Sequence, residues 1–180
     1  FAAMGTVYAE RVLGIANPRV GLLSIGEEAI KGNELTRDAH HLLSNSDIRF
    51  IGNLEARDLY SGDADVVVCD GFTGNVALKV SEGLVEVIED LLRDELNRTF
   101  TTQLGYLLSR RSYRRFRRRV DYSEYGGAPL LGVAGLAVVG HGRSSVKAVR
   151  NALALTHRFV NEDFVQSIDE SMSSLSSERS

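Results

Sequence analysis

Lys31 is one of only three lysines among 21 basic residues, and it stands in a loop flanked by glycines, residues 26–33 (GEEAIKGN). A lone ammonium in such a loop suits a phosphate ligand or a charge stabiliser beside a reacting carbonyl. The simpler alternative is an ordinary solvated side chain. Residues 70–75 (DGFTGN) and 140–145 (GHGRSS) repeat the grammar of an apolar run, a glycine-rich turn and a helix start. Glycines let backbone N–H groups approach an anion closely, and a helix N-terminus adds unpaired donors and a favourable dipole. Asn33, Asn75 and Ser144 or Ser145 also suit helix N-caps, a role that needs no ligand. Three such junctions together, with Lys31 in one of them, point to a phosphate site. None matches the P-loop or dinucleotide fingerprint, so nucleotide binding has weak support. His141, between Gly140 and Gly142, is the one histidine in site-like surroundings. His40 and His41 fall mid-helix and read as surface or packing residues. Cys69 ends a valine-rich run and reads as a small buried hydrophobe. The chain has one cysteine, which excludes an intrachain disulfide or a multi-cysteine zinc site, and no His, Asp and Glu spacing resembles a metal site.

These junctions need elements to hold them. Helical spacing covers residues 2–14, with Gly14 and Pro18 as stop signals. Residues 19–25 and 48–51 read as short buried strands, the second closed by Gly52 and Asn53, and residues 34–44 as a helix between them. Residues 55–60 suit a turn or two of helix. The run DVVVC, residues 65–69, is the most strand-like in the chain, and a long helix follows it to about Phe100. Further apolar strands are expected at 130–133 and 136–139, then a helix at 144–160. Short apolar strands alternating with helices imply an α/β fold, with a mostly parallel sheet covered on both faces. All three glycine junctions are then expected at the carboxyl ends of parallel strands, where such folds place ligands. The 180 residues suit one domain, taken as 1–165, with 84–120 a helical arm and 166–180 a flexible tail rich in serine.

Composition narrows the partners. Hydrophobic residues make up 43% and charged residues 25%, as in ordinary globular proteins. No apolar run approaches the roughly 18 residues of a membrane-spanning helix, and there is no basic-then-apolar leader, so a soluble cytoplasmic chain is expected. Seven arginines and no acid lie between Arg110 and Arg119, on a chain whose net charge is −3. At 100° per residue Tyr106, Tyr113, Phe116 and Val120 form one stripe, with arginines around it. Such a helix can lie on an anionic membrane, dock an acidic protein or contact nucleic acid; alternatively, its stripe packs on the preceding helix. Nucleic acid is disfavoured because the rest of the chain is acidic.

The runs VGLLSIGEEAIKGNEL (20–35), FIGNLEARDLYSGDADVVVCDGFTGNVALKVSEG (50–83), DYSEYGGAPLLGV (121–133) and GHGRSS (140–145) closely resemble the bacterial phosphate:acyl-carrier-protein acyltransferase family over roughly residues 1–160. The resemblance implies a three-layer α/β/α sandwich related to the isocitrate-dehydrogenase and phosphotransacetylase folds, working as a homodimer associated peripherally with the cytoplasmic membrane face. It implies an acyl group moved from acyl carrier protein to inorganic phosphate without a cofactor, the acyl phosphate passing to a glycerol-3-phosphate acyltransferase. By motif, Lys31 of KGNEL and Asn75 of DGFTGN are the implied catalytic residues. Gly32, Asn33, Gly71, Thr73, Gly74, His141, Gly142 and Ser144 are the implied substrate or phosphate contacts, with Gly140 where alanine is usual. The helical arm, here with Arg114, Arg115, Phe116, Arg117 and Arg118, is the implied membrane or partner contact. Members of that family begin with a further half carrying a DAMGGD motif, so the chain corresponds to the C-terminal half and part of the sheet and site is expected from outside it. Two rival functions are a phosphotransacylase using coenzyme A thioesters and a docking module without catalysis.

Overall fold

The computed structural model describes residues 1–120, 126–140, 142 and 144–177, with the side chains of 117–120 and 175–177 left aside. The sequence VGLL folds as β1 (Val20–Leu23), buried at every position. An apolar run with no polar alternation can only be satisfied with both faces covered. β1 is the centre of a three-stranded sheet, between β2 (Phe50–Leu54) and β3 (Val66–Val68), and both pairings are parallel. Helices α1 (Ala2–Arg11) and α2 (Glu34–Ser44) pack on this sheet. The fold is thus the expected α/β class, consistent with a three-layer α/β/α sandwich.

The start of the sheet is locked by an ion pair. Asp65 accepts from Nε and Nη2 of Arg19 at 2.9 and 3.0 Å and from the Arg19 backbone N–H at 2.8 Å, which ties the entrances of β1 and β3 together. The fork-to-fork bonds of the guanidinium hold the Asp65 carboxyl down to about 2.

β2 departs from the expected strand. It runs on to Leu54 rather than closing at Gly52, because an extra residue is accommodated: Val20 pairs with Phe50 but Leu22 pairs with Asn53. Gly52 has φ +99°, a backbone conformation that side chains resist, and it absorbs this bulge.

After β3 come a 27-residue helix, α3 (Gly71–Asn97), and then α4 (Phe100–Val120), which packs against it. At 1.5 Å per residue α3 is about 40 Å long. β4 (Ala128–Pro129) and β5 (Val138–Val139) pair antiparallel in a separate sheet. Residues 130–133, expected as a strand, are instead turn and connection; the Leu130 N–H bonds to the Ala137 carbonyl and closes the hairpin. α5 (Val146–Asn161) and α6 (Phe164–Ser177) complete the order.

The expected flexible tail is a helix over 166–177, and 178–180 lie outside the described residues. Serine content concealed a helical period, in which Phe164, Ile168 and Met172 recur every four residues and α6 lies against α1. Phe164 stacks on Phe159 at 4.8 Å, and Tyr8 of α1 meets Phe164 edge-on at 5.9 Å. This aromatic cluster, with Val7 and Val12, is a second centre of burial beside the sheet.

Candidate active site at the carboxyl edge of the sheet

Parallel pairing sends β1 and β3 in the same direction, so the turns that leave them emerge side by side. The turn after β1 carries Lys31, and the turn after β3 opens the helix that carries Asn75. Adjacent strands lie about 4.8 Å apart, so neighbouring strand ends can serve one ligand. Lys31 and Asn75 are both exposed. Among the described residues neither the Lys31 ammonium nor the Asn75 amide makes a hydrogen bond or ion pair.

The Lys31 loop is shaped by its glycines. Gly32 has φ +95°, and a Cβ there would stand 2.9 Å from Ser24 Oγ and clash with Thr36 Oγ1, so only glycine lets the chain pass. Ser24 Oγ beneath it is buried with no hydrogen-bond partner. The loop ends at Asn33, whose Oδ1 accepts from the Thr36 N–H at 2.9 Å and caps α2. The Asn33 side chain is therefore engaged as a cap. The Lys31 N–H donates to the Glu28 carbonyl at 2.9 Å, which turns the loop back on itself.

At the start of α3, Asp70 caps the helix in place of Asn75, which lies one turn inside it. Asp70 Oδ1 accepts from the N–H groups of Phe72 and Thr73, both at 2.9 Å, and Oδ2 accepts from the Thr73 hydroxyl at 2.6 Å. These bonds, led by the hydroxyl, lower the Asp70 pKa and keep a carboxylate on the amides of this helix start. Gly71 and Gly74 flank Thr73. A Cβ at Gly74 would come within 2.8 Å of Cys69 Sγ, so the glycine lets the helix settle on that thiol. Burial, followed by the Asp70 charge, raises the Cys69 pKa, as suits a packing residue rather than a nucleophile.

The third junction stands apart. It follows β5, in the antiparallel pair, so it is not at the edge of the parallel sheet as expected. Ser145, rather than Ser144, caps α5 by accepting from the Ala148 N–H at 3.2 Å. Gly142 and Ser144 are described, and His141 lies outside the described residues. A cavity of about 810 Å³ lies elsewhere, between the β4–β5 connection and α6, and its lining includes Leu131, Phe159, Phe164 and Met172 but neither Lys31 nor Asn75.

On the arm, Arg114 and Arg115 are exposed and Phe116 is 43% exposed. Arg117 and Arg118 continue the helix. Tyr106 and Tyr113 meet edge-on at 5.3 Å. The stripe is thus partly self-packed, while Leu104, Leu107 and Leu108 remain open. Among the described residues no helix is long and apolar enough to cross a membrane, and no group of three or more His, Cys, Asp or Glu could hold a metal ion.

Residues 1–167 match the profile of the fatty acid synthesis protein family. The chain belongs to that family. The phosphate acyltransferase of Citrifermentans bemidjiense is 52% identical over 175 residues, covering 95% of this chain and 50% of that protein. Phosphate acyltransferases of Syntrophotalea carbinolica and Heliobacterium modesticaldum are 54% and 51% identical, over 90% and 94% of this chain and 47% and 51% of theirs. The chain therefore spans about half the length of the curated relatives it matches. This fatty acid synthesis family member carries its KGN and DGFTGN segments at the ends of neighbouring strands.

The residue that sequence reading passed over is Asn53, the one buried polar residue among those described. Its place after a glycine was read as the end of a strand. The signal available was a glycine interrupting an apolar strand, which marks bulges as well as turns.

Proposed function

We propose that the protein carrying this chain transfers a fatty acyl group from the thioester of acyl carrier protein to inorganic phosphate, giving acyl phosphate for phospholipid synthesis. The observation that carries this reading is the pair of exposed, unengaged polar ends, Lys31 in the turn after β1 and Asn75 in the first turns of the helix after β3, with β1 and β3 adjacent and parallel. A phosphate oxygen attacks the thioester carbonyl carbon, forming a carbon–oxygen bond. The tetrahedral oxyanion then collapses, the carbon–sulfur bond breaks, and the carrier thiolate departs and takes a proton from solvent. Phosphate at neutral pH is already nucleophilic, so no serine or cysteine nucleophile is needed, in keeping with the half-buried, raised-pKa thiol of Cys69.

Lys31 neutralises the phosphate or the developing oxyanion, and Asn75 donates a hydrogen bond there. Gly32 and Gly71 give the anion access to backbone, with Asn33, Thr73 and Gly74 shaping the two turns. Because Asp70 occupies the first amides of α3, phosphate is held from the Lys31 side. His141, Gly142 and Ser144 enter the proposal as further phosphate contacts on the strength of the family motif alone, since their junction follows the antiparallel pair and not the parallel sheet. Lys31→Ala and Asn75→Ala in the whole protein each lower turnover by about 10²–10³, measured as acyl phosphate trapped as hydroxamate. Near-normal turnover in both would refute the assignment, and equal rates with coenzyme A thioesters would favour a phosphotransacylase.

The basic arm supports docking of an acidic acyl carrier protein or an anionic lipid surface by an otherwise acidic, cytoplasmic homodimer, with a glycerol-3-phosphate acyltransferase consuming the product. Replacing Arg114, Arg115, Arg117 and Arg118 with glutamine separates the surfaces. Lost liposome binding with an unchanged KM for the carrier assigns the arm to the membrane, and a raised KM with liposome binding retained assigns it to the carrier.

A further inference from the structure

We propose that Asn53 is a positioning residue for the Lys31 loop, aimed there by the glycine bulge of β2 and braced by His40; this rests on the reading of Lys31 as catalytic. Asn53 is 5% exposed, on the edge strand beside β1. Its Nδ2 donates to the Glu28 carbonyl at 2.9 Å. That same carbonyl accepts from the Lys31 N–H at 2.9 Å, so both its lone pairs are engaged and the loop is held from two sides. Donation from Nδ2 fixes the amide's orientation and turns Oδ1 to His40 Nδ1, 2.9 Å away, which makes that nitrogen the donor. His40 is itself held edge-on against Phe50, 5.1 Å between ring centroids. The chain of contacts runs Phe50, His40, Asn53, Glu28 carbonyl, Lys31 backbone.

The bulge makes this possible. Side chains alternate faces along a strand, so with regular register Gly52 would oppose Leu22 and residue 53 would face the other way. The extra residue at Gly52 turns Asn53 toward the loop and α2. A buried side-chain amide that anchors the backbone matters in a loop whose lysine must meet an anion at a fixed place, because a small misplacement of a catalytic group costs rate steeply.

The test uses the whole protein, with Asn53→Ala, His40→Phe and His40→Asn. His40→Phe keeps the ring on Phe50 and removes the donor; His40→Asn restores a donor where Nδ1 stood. Amide hydrogen exchange reads the loop directly. Asn53→Ala and His40→Phe are expected to speed exchange at 26–33 about tenfold while β1 stays protected, and His40→Asn to recover most of the protection. Unchanged exchange at 26–33 overturns the tether. Kinetics then read its purpose. Asn53→Ala is expected to lower kcat/KM for phosphate about tenfold with Lys31 present and to add almost nothing in a Lys31→Ala background. An equal loss in both backgrounds overturns the link to Lys31. If Lys31→Ala alone leaves turnover unchanged, it is the catalytic reading that fails, while exchange still decides whether Asn53 holds the loop. Should Asn53→Ala not fold, the two His40 variants carry the same comparison.

Discussion

The sheet body and the helical arm solve opposite problems with similar residues. In β1, Val20, Leu22 and Leu23 are almost completely removed from water, and the aromatic cluster of Phe159 and Phe164 is equally dry. Along α3 and α4 the aliphatic side chains are of the same kind, yet Leu78, Val80, Leu84, Leu91, Leu107 and Leu108 each keep more than half their surface exposed. Burial of apolar area is the main stabilising term in folding, so the body holds itself together while the arm holds little beyond its own helix pair. Scattered apolar residues on a surface are ordinary, but a run of them along two adjoining helices beside a basic segment marks a surface built to meet something. The candidate site sits at the carboxyl edge of the sheet, at the root of α3. Under the proposed function the arm meets its partner further along α3 and α4 than the first turns that hold Asn75.

The sharpest way to break this comparison is to remove one large side chain from each region. Phe159→Ala should cost about 3–5 kcal/mol, read from denaturant unfolding, whereas Leu108→Ala should stay within about 0.5 kcal/mol. A loss at Leu108 as large as that at Phe159 would mean that a partner covers the arm in the whole protein. Next in size is Gly52→Ala. A side chain forced to φ +99° costs about 1–3 kcal/mol if the bulge is kept. If the protein relieves that strain by losing the bulge, loop exchange at 26–33 rises with it, which would join the stability of the body to the site.

The smallest effect is a pH dependence confined to the body. Asp65 titrates at about 2 when folded, below its ordinary 3.8, because Arg19 stabilises its charged form. As pH falls, the unfolded chain takes up this proton first, so the stabilisation is complete above about pH 4 and is lost toward pH 2. Asp65→Asn should flatten that part of the acid-unfolding curve. An unchanged curve would show that the Arg19 pair does not fasten the two strand entrances.

Much of the framework around the candidate site was legible because its parts are local. A glycine-flanked loop after an apolar run, and a DGFTGN turn after three valines, declare strand ends and helix starts through turn chemistry alone. Two of the three expected caps were legible, Asn33 on α2 and Ser145 on α5. Asp70, however, displaces Asn75 from the cap of α3, because a carboxylate one residue before the glycine reaches two amides at once. The serine-rich terminus misled because composition was weighed above period. Phe164, Ile168 and Met172 bury one face of α6, and the serines between them pass unopposed into a helix whose packing, not its propensity, sustains it.

By itself, then, the sequence determined the α/β class, the alternation of short buried strands with helices, the family, the turn that carries Lys31 and the helix start that carries Asn75. These follow from hydrophobic period, glycine placement and motif order, which act over a few residues. Tertiary structure alone decided that β1 lies between β2 and β3, so that those two segments share one edge while the third junction belongs to an antiparallel pair. It alone decided that Asn53 reaches Glu28, 25 residues away in the chain. Strand order and register are settled by pairing between distant segments, and a one-residue bulge changes which face a side chain occupies. No local pattern encodes that, because the free energy that chooses it comes from burial shared among strands that meet only when the chain has folded.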